Sequence, residues 1–294
     1  MSIIQIKNLT KDYGSGRGNF DISLNIEQGE TIGFVGTNGA GKTTLIRQLM
    51  GFLRPGSGNI TIKGLDSWHD SAEIKKHIGY LPGEIAFPDA PTGSVFLKRQ
   101  AELLGLTDMS YVDEIIKKLQ LDPTANLKRM SKGMKQKTAI AAAFMANRDI
   151  LVLDEPTTGL DPLMRREFID ILNDERDKGK TIFMSSHMFE EVEDTCDKVV
   201  LIKDGKIIAA KSTLEIKRNR DKVYKVEFTS AEDYRRFLSE NFTLSEQYEE
   251  KNQAFVNVND GDINRFMSVL QNYNLKYISE IKYSLEQYFK SLYM

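Results

Sequence analysis

The chain of 294 residues has very little cysteine or histidine, the two side chains that most often ligate zinc. Its one cysteine, Cys196, excludes a disulfide within the chain, and one cysteine with three histidines argues against a zinc site. No apolar run approaches the ~18–20 residues that a membrane-spanning helix needs. The first residues, MSIIQIKNLTKDYG, lack the basic, apolar and cleavage regions of a signal peptide. We therefore expect a cytoplasmic protein in which any membrane role depends on a partner.

The sequence also lacks an excess of charge of one sign. Its formal net charge of −2 does not favour a dedicated nucleic-acid binder, because such proteins are usually basic across a whole domain or face. The exception is local, in LKRMSKGMKQKTAIAAAF (residues 127–144). This segment would suit a nucleic-acid backbone, a solvated helix end or one half of a phosphate site, and its composition alone leaves all three open.

The order of the apolar runs predicts an α/β fold. ETIGFVG (30–36), RDILVLDEP (148–156) and KTIFMSSH (180–187) are typical of buried strands, whereas IIQIKNL and FDISLNI alternate like half-buried antiparallel strands. Residues 198–209 indicate a hairpin that turns at Asp204-Gly205. We predict one large domain over residues 1–215, with a helical subdomain at about 85–147, and a small α+β domain over residues 221–294.

A glycine-rich loop, GTNGAGKT, follows the first buried strand and opens a helix, which is the context that a phosphate-binding loop requires. Backbone N–H groups and the helix N-terminus would surround phosphate oxygens, Lys42 would reach the outer phosphates, and the Thr43 hydroxyl would ligate Mg²⁺. The predicted nucleotide-binding residues of this segment are Gly36, Thr37, Asn38, Gly39, Ala40, Gly41, Lys42, Thr43 and Thr44.

Two acids end the second buried strand, in LVLDEP. We expect Asp154 to hold the Mg²⁺ shell and Glu155 to orient and partly deprotonate the attacking water. A second acid at this place favours an ATPase that carries its own water-positioning carboxylate.

These motifs, in this order over roughly residues 3–214, resemble the nucleotide-binding subunit of an ATP-binding cassette (ABC) transporter. The resemblance implies a P-loop NTPase core of the ABC-ATPase type with an antiparallel β subdomain and a helical subdomain, and the small C-terminal α+β domain lies outside it. It implies that Tyr13 stacks on adenine, that Asp161 lies at a dimer seam and that His187 contacts the γ-phosphate and the water. The cofactors implied are ATP and Mg²⁺.

RMSKGMKQK falls where the family has its Leu-Ser-Gly-Gly-Gln signature. Ser131 suits a helix N-cap and Gly133 permits close backbone approach. In the family this segment faces the ATP of a second subunit, so the resemblance implies a head-to-tail homodimer or heterodimer around two Mg-ATP. Gly83 stands where the family usually has glutamine, and whether Glu84 substitutes for it stays open. Pro82-Gly83 would also suit a type II turn.

We expect a subunit that powers transport, with export more probable than import, through a separate transmembrane permease. The bacterial drug, bacteriocin or lipid-precursor exporters are the subclass that it resembles. The chain would then lie peripherally on the cytoplasmic face of the cell membrane, and no nucleic acid is expected as a partner. The alternative is a soluble ABC-type ATPase that acts on nucleic acid or ribosomes, which the basic cluster and the aromatic C-terminal domain would suit.

Overall fold

The computed structural model describes residues 2–217, 221–281 and 284–293. It divides into two compact units, Met1–Ser212 and Thr213–Met294. Within the described ranges, no helix has the length and apolar character that crossing a membrane requires.

Among its described residues, the first unit contains ten strands and seven α-helices. The strands are β1 (Ser2–Asp12), β2 (Gly18–Glu27), β3 (Thr31–Val35), β4 (Ser57–Ile62), β5 (Leu65–Asp66), β6 (Ile78–Leu81), β7 (Ile150–Asp154), β8 (Thr181–Ser186), β9 (Lys198–Lys203) and β10 (Lys206–Ser212). The helices are α1 (Lys42–Leu49), α2 (Ser71–Ile74), α3 (Gly93–Leu104), α4 (Ser110–Lys118), α5 (Lys132–Phe144), α6 (Pro162–Asp177) and α7 (Phe189–Thr195).

Six of these strands form one sheet in the order β10-β9-β3-β8-β7-β6. The strands from β9 to β6 are parallel, and only β10 is antiparallel, as the hairpin partner of β9. Strands β3, β7 and β8 are buried along their whole length, as central strands of a parallel sheet covered on both faces must be. Because they are parallel, the carboxyl ends of β3, β6, β7 and β8 lie at one edge of the sheet.

A second sheet, in the order β2-β1-β4-β5, is antiparallel. Helix α1 lies in the core that the two sheets share, where Leu45, Ile46 and Leu49 are fully buried. Each buried leucine or isoleucine stabilises the fold by about 1.5–3 kcal/mol relative to an exposed one. This packing fixes the helix that follows the phosphate loop.

The segment between β6 and β7 is helical, as the sequence predicts. Thr92 caps α3 by accepting the Val95 N–H, and Gly105 ends it in the left-handed conformation at φ 67°. Helices α3 and α4 both contact α5, the helix that Ser131 begins. The α/β fold with antiparallel and helical subdomains is thus confirmed.

The second unit contains α8 (Thr213–Lys217), β11 (Asp221–Phe228), α9 (Ala231–Leu238), β12 (Thr243–Tyr248), β13 (Gln253–Asn259), α10 (Ile263–Leu270), β14 (Leu275–Ile281) and α11 (Leu285–Tyr293). Its antiparallel sheet has the order β12-β13-β11-β14, so the chain follows a β-α-β-β-α-β path between β11 and β14. Phe228 and Phe237 are buried in its core with their rings 5.0 Å apart, so the aromatic residues here include core residues.

Candidate active site

The phosphate loop leaves the carboxyl end of β3 and enters α1. Glycine is needed at two of its positions for steric reasons. A Cβ on Gly36 would lie 2.5 Å from the Ile202 carbonyl oxygen, and one on Gly41, at φ 107°, would lie 2.5 Å from Asn19 Nδ2. Thr37, Asn38 and Gly39 are exposed at the tip of the loop, whereas Ala40 is buried.

Neighbouring segments fix this loop. Asn19 Nδ2 donates to the Gly41 carbonyl oxygen at 3.1 Å, and Asn19 Oδ1 accepts from Gln48 Nε2 at 3.0 Å. At the turn between β9 and β10, the Gly205 N–H donates to the Ala40 carbonyl oxygen at 3.0 Å. The loop is therefore held from both sheets before any nucleotide binds.

Lys42 lies inside the loop and is 5% exposed. Its ammonium donates to the Gly36 carbonyl oxygen at 2.8 Å and lies 3.1 Å from Glu155 Oε1. The other oxygen of Glu155 contacts His187 Nδ1. The structure thus brings the loop lysine, the second acid of β7 and the predicted switch histidine into one cluster.

The backbone at Glu155 is unusual, because this residue has a left-handed φ of 49°. Two hydrogen bonds to Ser185 hold it there, since the Glu155 N–H lies 3.1 Å from the Ser185 carbonyl oxygen and 3.0 Å from its hydroxyl. A non-glycine residue in this region costs about 1–3 kcal/mol and occurs mainly where the surroundings determine it, often at active sites.

Asp154 is fully buried at the end of β7. Its Oδ1 accepts from the Ser185 hydroxyl at 2.5 Å, whereas its Oδ2 has no hydrogen-bond partner among the described residues. An orphaned buried carboxylate oxygen is costly unless a cation or ligand completes it. This oxygen fits a hard cation such as Mg²⁺, which prefers oxygen ligands.

Gly83, on the segment after β6, lies directly against this free oxygen. A Cβ on Gly83 would come within 2.9 Å of Asp154 Oδ2. The interpretation as a type II turn is wrong, because that turn needs a positive φ at its glycine and Gly83 does not have one. Burial and the negative charge of Asp154 raise the pKa of the nearby Tyr80 to about 12, so its phenol stays protonated at neutral pH.

Tyr13 lies after β1, on the turn that leads to β2. Its side chain is 56% exposed, and Lys11 Nζ lies 5.8 Å from the centre of its ring. Gly18 and Asn19, at the start of β2, contact Gly41 of the phosphate loop. The ring of Tyr13 is therefore exposed a few residues before the segment that contacts the loop.

The residues expected at the dimer seam, Ser131 and Gly133 of the signature and Asp161, lie apart from this cluster. Ser131 caps α5 by accepting the Met134 N–H at 3.2 Å, and a Cβ on Gly133 would lie 2.8 Å from the Gly159 carbonyl oxygen. Asp161 caps α6 through the Met164 N–H at 2.9 Å. In the described part of the chain, no hydrogen bond or ion pair joins Ser131, Gly133 or Asp161 to the phosphate loop. The basic cluster is partly paired, because Lys128 lies 2.9 Å from Asp89.

Sequence reasoning missed three residues that shape this site: Asn19, Ser185 and Glu191. Asn19 and Ser185 reach their partners across 22 and 31 residues of chain, which no local pattern shows. Glu191 follows His187 by four residues, but α7 begins only at Phe189, so helical spacing from His187 does not reveal it either. It is 2% exposed and accepts from Thr157 and Ser186.

Comparison with known proteins supports the same fold and identifies the family. Residues 20–158 match the family model of the ABC transporter. The chain is 38% identical over 213 residues to the ABC transporter ATP-binding protein NatA of Bacillus subtilis (strain 168), covering 69% of this chain and 87% of NatA. It is 36% identical over 210 residues to the bacitracin transport ATP-binding protein BcrA of Bacillus licheniformis, covering 70% of this chain and 69% of BcrA.

Among solved structures, the chain is similar to an ATP-binding subunit of an ABC transporter. The TM-score is 0.67 with 27% identity, and the match covers 74% of this chain and 92% of that one. The matched part of the present chain has the size of its first unit.

Proposed function

Because the chain belongs to the ATP-binding subunits of ABC transporters and is an ATPase of that family, we propose that it powers transport through a separate membrane permease. The observation that carries the proposal is the cluster of Lys42, Glu155 and His187 beside the buried Asp154. A phosphate-binding lysine, two acids and a histidine at one sheet edge are the groups that ATP hydrolysis needs.

The phosphate loop, residues 36–44, binds the phosphates through its backbone N–H groups and Lys42. The exposed ring of Tyr13 stacks on adenine, an interaction worth about 1–3 kcal/mol. Thr43 and the free Oδ2 of Asp154 hold Mg²⁺. When bound, this ion neutralises the charge that develops on the transferred phosphoryl group.

Glu155 orients the attacking water and takes its proton, and His187 lies beside it to contact the γ-phosphate. Lys42 and His187 both pair with the Glu155 carboxylate. Phosphate oxygens are better partners for the Lys42 ammonium than the Glu155 carboxylate, which Lys42 shares with His187, because phosphate groups carry more negative charge. ATP binding therefore releases one oxygen of Glu155 for the water.

The site of one chain is completed by a second. Ser131, Gly133 and Asp161 are exposed or half-exposed and lie apart from the phosphate loop of their own chain. We place them against the ATP of a partner subunit, in a head-to-tail homodimer or heterodimer around two Mg-ATP. The N-terminus of α5 directs its positive end toward that γ-phosphate.

The chain lies on the cytoplasmic face of the cell membrane because its permease is there. BcrA, a relative, is by name a bacitracin transport ATP-binding protein, and for the present chain we propose export as the direction. A cavity of about 340 Å³ follows Gly83 and is lined by residues 85–90 with Leu127, Lys128 and Lys135. This cavity is an open groove of the helical subdomain, and it binds a cytoplasmic segment of the permease.

The test is co-purification of the tagged chain from its own membranes. We expect a protein with several membrane spans, identified by mass spectrometry, in about equal amount. The matched variant Ala86→Arg fills the groove at an exposed position and is expected to lose that protein while it binds ATP normally. Recovery of the chain alone, or recovery with nucleic acid at moderate salt, would contradict the permease and favour a soluble ATPase.

A further inference from the structure

Helix α7 carries a carboxylate that the assigned roles do not use. Glu191 is 2% exposed, whereas Glu190, the residue before it, is exposed. A buried carboxylate is strongly disfavoured unless hydrogen bonds and a cation compensate it, so a chain that keeps one there has partners for it.

Those partners come from three different segments. Glu191 Oε1 accepts from the Thr157 hydroxyl at 2.5 Å and lies 3.3 Å from Arg165 Nε, on α6. Glu191 Oε2 accepts from the Ser186 hydroxyl at 3.0 Å. Each carboxylate oxygen therefore holds a different segment of the chain.

The first segment leads from the catalytic acid to the dimer seam. Thr157 lies two residues after Glu155, and the loop continues to Asp161 at the start of α6. Thr157 is itself 5% exposed, so its hydroxyl has little access to water as a substitute partner. The position of this loop therefore depends on Glu191.

The second segment carries the histidine. Ser186 is 2% exposed at the end of β8, immediately before His187. Its oxygen accepts the Met188 N–H at 2.9 Å while its hydroxyl donates to Glu191. Hydrogen bonds from the Met188 N–H to Ser186 and from Ser186 to Glu191 thus close the turn around His187, and the Glu191 carboxylate is the last acceptor.

We propose, on the basis of the function proposed above, that Glu191 is a positioning residue for ATP hydrolysis. It joins the loop of Glu155 and Asp161 to the loop of His187, and so sets the distance between acid and histidine. Thr157 and Ser186 share this one carboxylate, which couples the positions of the two loops. Arg165 balances its charge and lies on the helix that Asp161 caps.

The experiment compares Glu191→Gln with the matched control Glu190→Gln in the ATPase activity of the chain. Glu191→Gln keeps the size of the side chain but replaces one acceptor oxygen by a donor, so Thr157 or Ser186 loses its partner. We expect kcat to fall about 10- to 100-fold, the cost of a small misplacement of reacting groups, with KM for ATP within about twofold. Glu190→Gln should keep the wild-type kcat and KM.

A second pair of variants keeps the test valid if Glu191→Gln folds poorly. Thr157→Val removes the hydroxyl that Glu191 binds and should lower kcat in the same way, whereas Thr157→Ser restores the hydroxyl and should restore most of kcat. The kcat is calculated per folded chain, counted by bound ATP, because a loss of folded protein alone lowers the apparent kcat and leaves KM unchanged. If Glu191→Gln and Thr157→Val leave this corrected kcat at the wild-type value, the proposal is wrong.

Wild type and Glu155→Gln are measured beside these variants. If wild type hydrolyses ATP and Glu155→Gln does not, the proposed catalytic function stands, and the result with Glu191 bears on the positioning role alone. If Glu155→Gln hydrolyses ATP as wild type does, the proposed function itself fails.

Discussion

At the scale of the residue, the site depends on which side chains contact the Glu155 carboxylate. One of its oxygens lies 3.1 Å from Lys42 Nζ and the other contacts His187 Nδ1, so both oxygens are engaged. The arrangement links the availability of Glu155 to nucleotide binding, since a phosphate oxygen that pairs with Lys42 would leave one carboxylate oxygen to the water.

The variant Glu155→Gln tests this assignment directly. The amide keeps the shape of the side chain and can still contact His187, but it cannot accept the proton of water. Loss of a general base lowers turnover by about 10²–10⁴-fold, and we expect ATP to bind with an unchanged or lower dissociation constant. Phosphate release and nucleotide binding are measured on the same preparation. Turnover equal to that of wild type would rule out the role of Glu155.

At the scale of the element, the buried strands and their carboxyl ends could be predicted from the sequence. Strands β3, β7 and β8 are runs of apolar residues, and each leads into functional residues. Strand β3 leads into the glycine loop, β7 into the two acids, and β8 ends at the serine before His187. Strands β12 and β14 could not be predicted in this way, because their side chains are largely exposed and their apolar residues do not alternate strongly along the strand.

The same limit applies to the supporting contacts of the site. Parallel strands bring Asp154 and Ser185 together, but the sequence does not show that the serine hydroxyl leaves Asp154 Oδ2 free. The contact of Gly83 with that oxygen is equally invisible, because it depends on the path of the chain after β6. Motif spacing identifies the functional groups, whereas tertiary packing decides their partners.

Helix α6 ends on a buried ion pair that supplies an element-scale prediction. Glu175 is 1% exposed, lies 2.7 Å from Lys178 Nζ and also contacts Lys180, which is 8% exposed. Burial alone would raise the pKa of Glu175, but hydrogen bonds from Lys178 and Lys180 outweigh it and hold the pKa below the usual value. The ionised carboxylate therefore stabilises the end of α6 and the start of β8.

Glu175→Gln is expected to lower the free energy of unfolding by about 3–5 kcal/mol at pH 7, because it leaves a buried lysine without its counter-charge. Since the folded pKa is lowered, the contribution is full above the pKa of the unfolded carboxyl and is lost as pH falls through the folded pKa. Urea unfolding of both proteins at pH 7 and below pH 4 measures this. Asp174→Asn, at an exposed surface pair, should cost no more than about 1 kcal/mol. A difference between Glu175→Gln and wild type that does not shrink in acid would contradict the assignment.

At the scale of the whole molecule, the proposed dimer requires each chain to present two incomplete halves of a nucleotide site. The phosphate loop lies at the carboxyl edge of the parallel sheet, whereas Ser131 begins α5 of the helical subdomain. Gly133 packs against Gly159, so the signature and the loop of Asp161 form one continuous surface. In the proposed dimer, two such surfaces would face two phosphate loops, with the two chains related by twofold symmetry.

The variant Ser131→Arg tests that pairing. A long charged side chain at this exposed position would keep the signature surface from approaching a partner's nucleotide, while the chain's own phosphate loop is untouched. We expect ATP binding to the monomer to be unchanged, and ATP-dependent dimerisation and turnover to be lost. Dimerisation is measured by gel filtration with light scattering, with both Ser131 variants built on Glu155→Gln, where bound ATP is not consumed.

Ser131→Ala is the matched control, because both variants remove the hydroxyl that caps α5 at the Met134 N–H. That loss costs about 1 kcal/mol of stability and should lower the melting temperature equally in the two variants. Only Ser131→Arg adds the steric and charge block, so only it should abolish the dimer outright. A Ser131→Arg chain that still dimerises on ATP and, with Glu155 intact, hydrolyses it would show that this surface is not the second half of the site. The lysines and arginine of residues 127–144 would then again be candidates for binding a different polyanion.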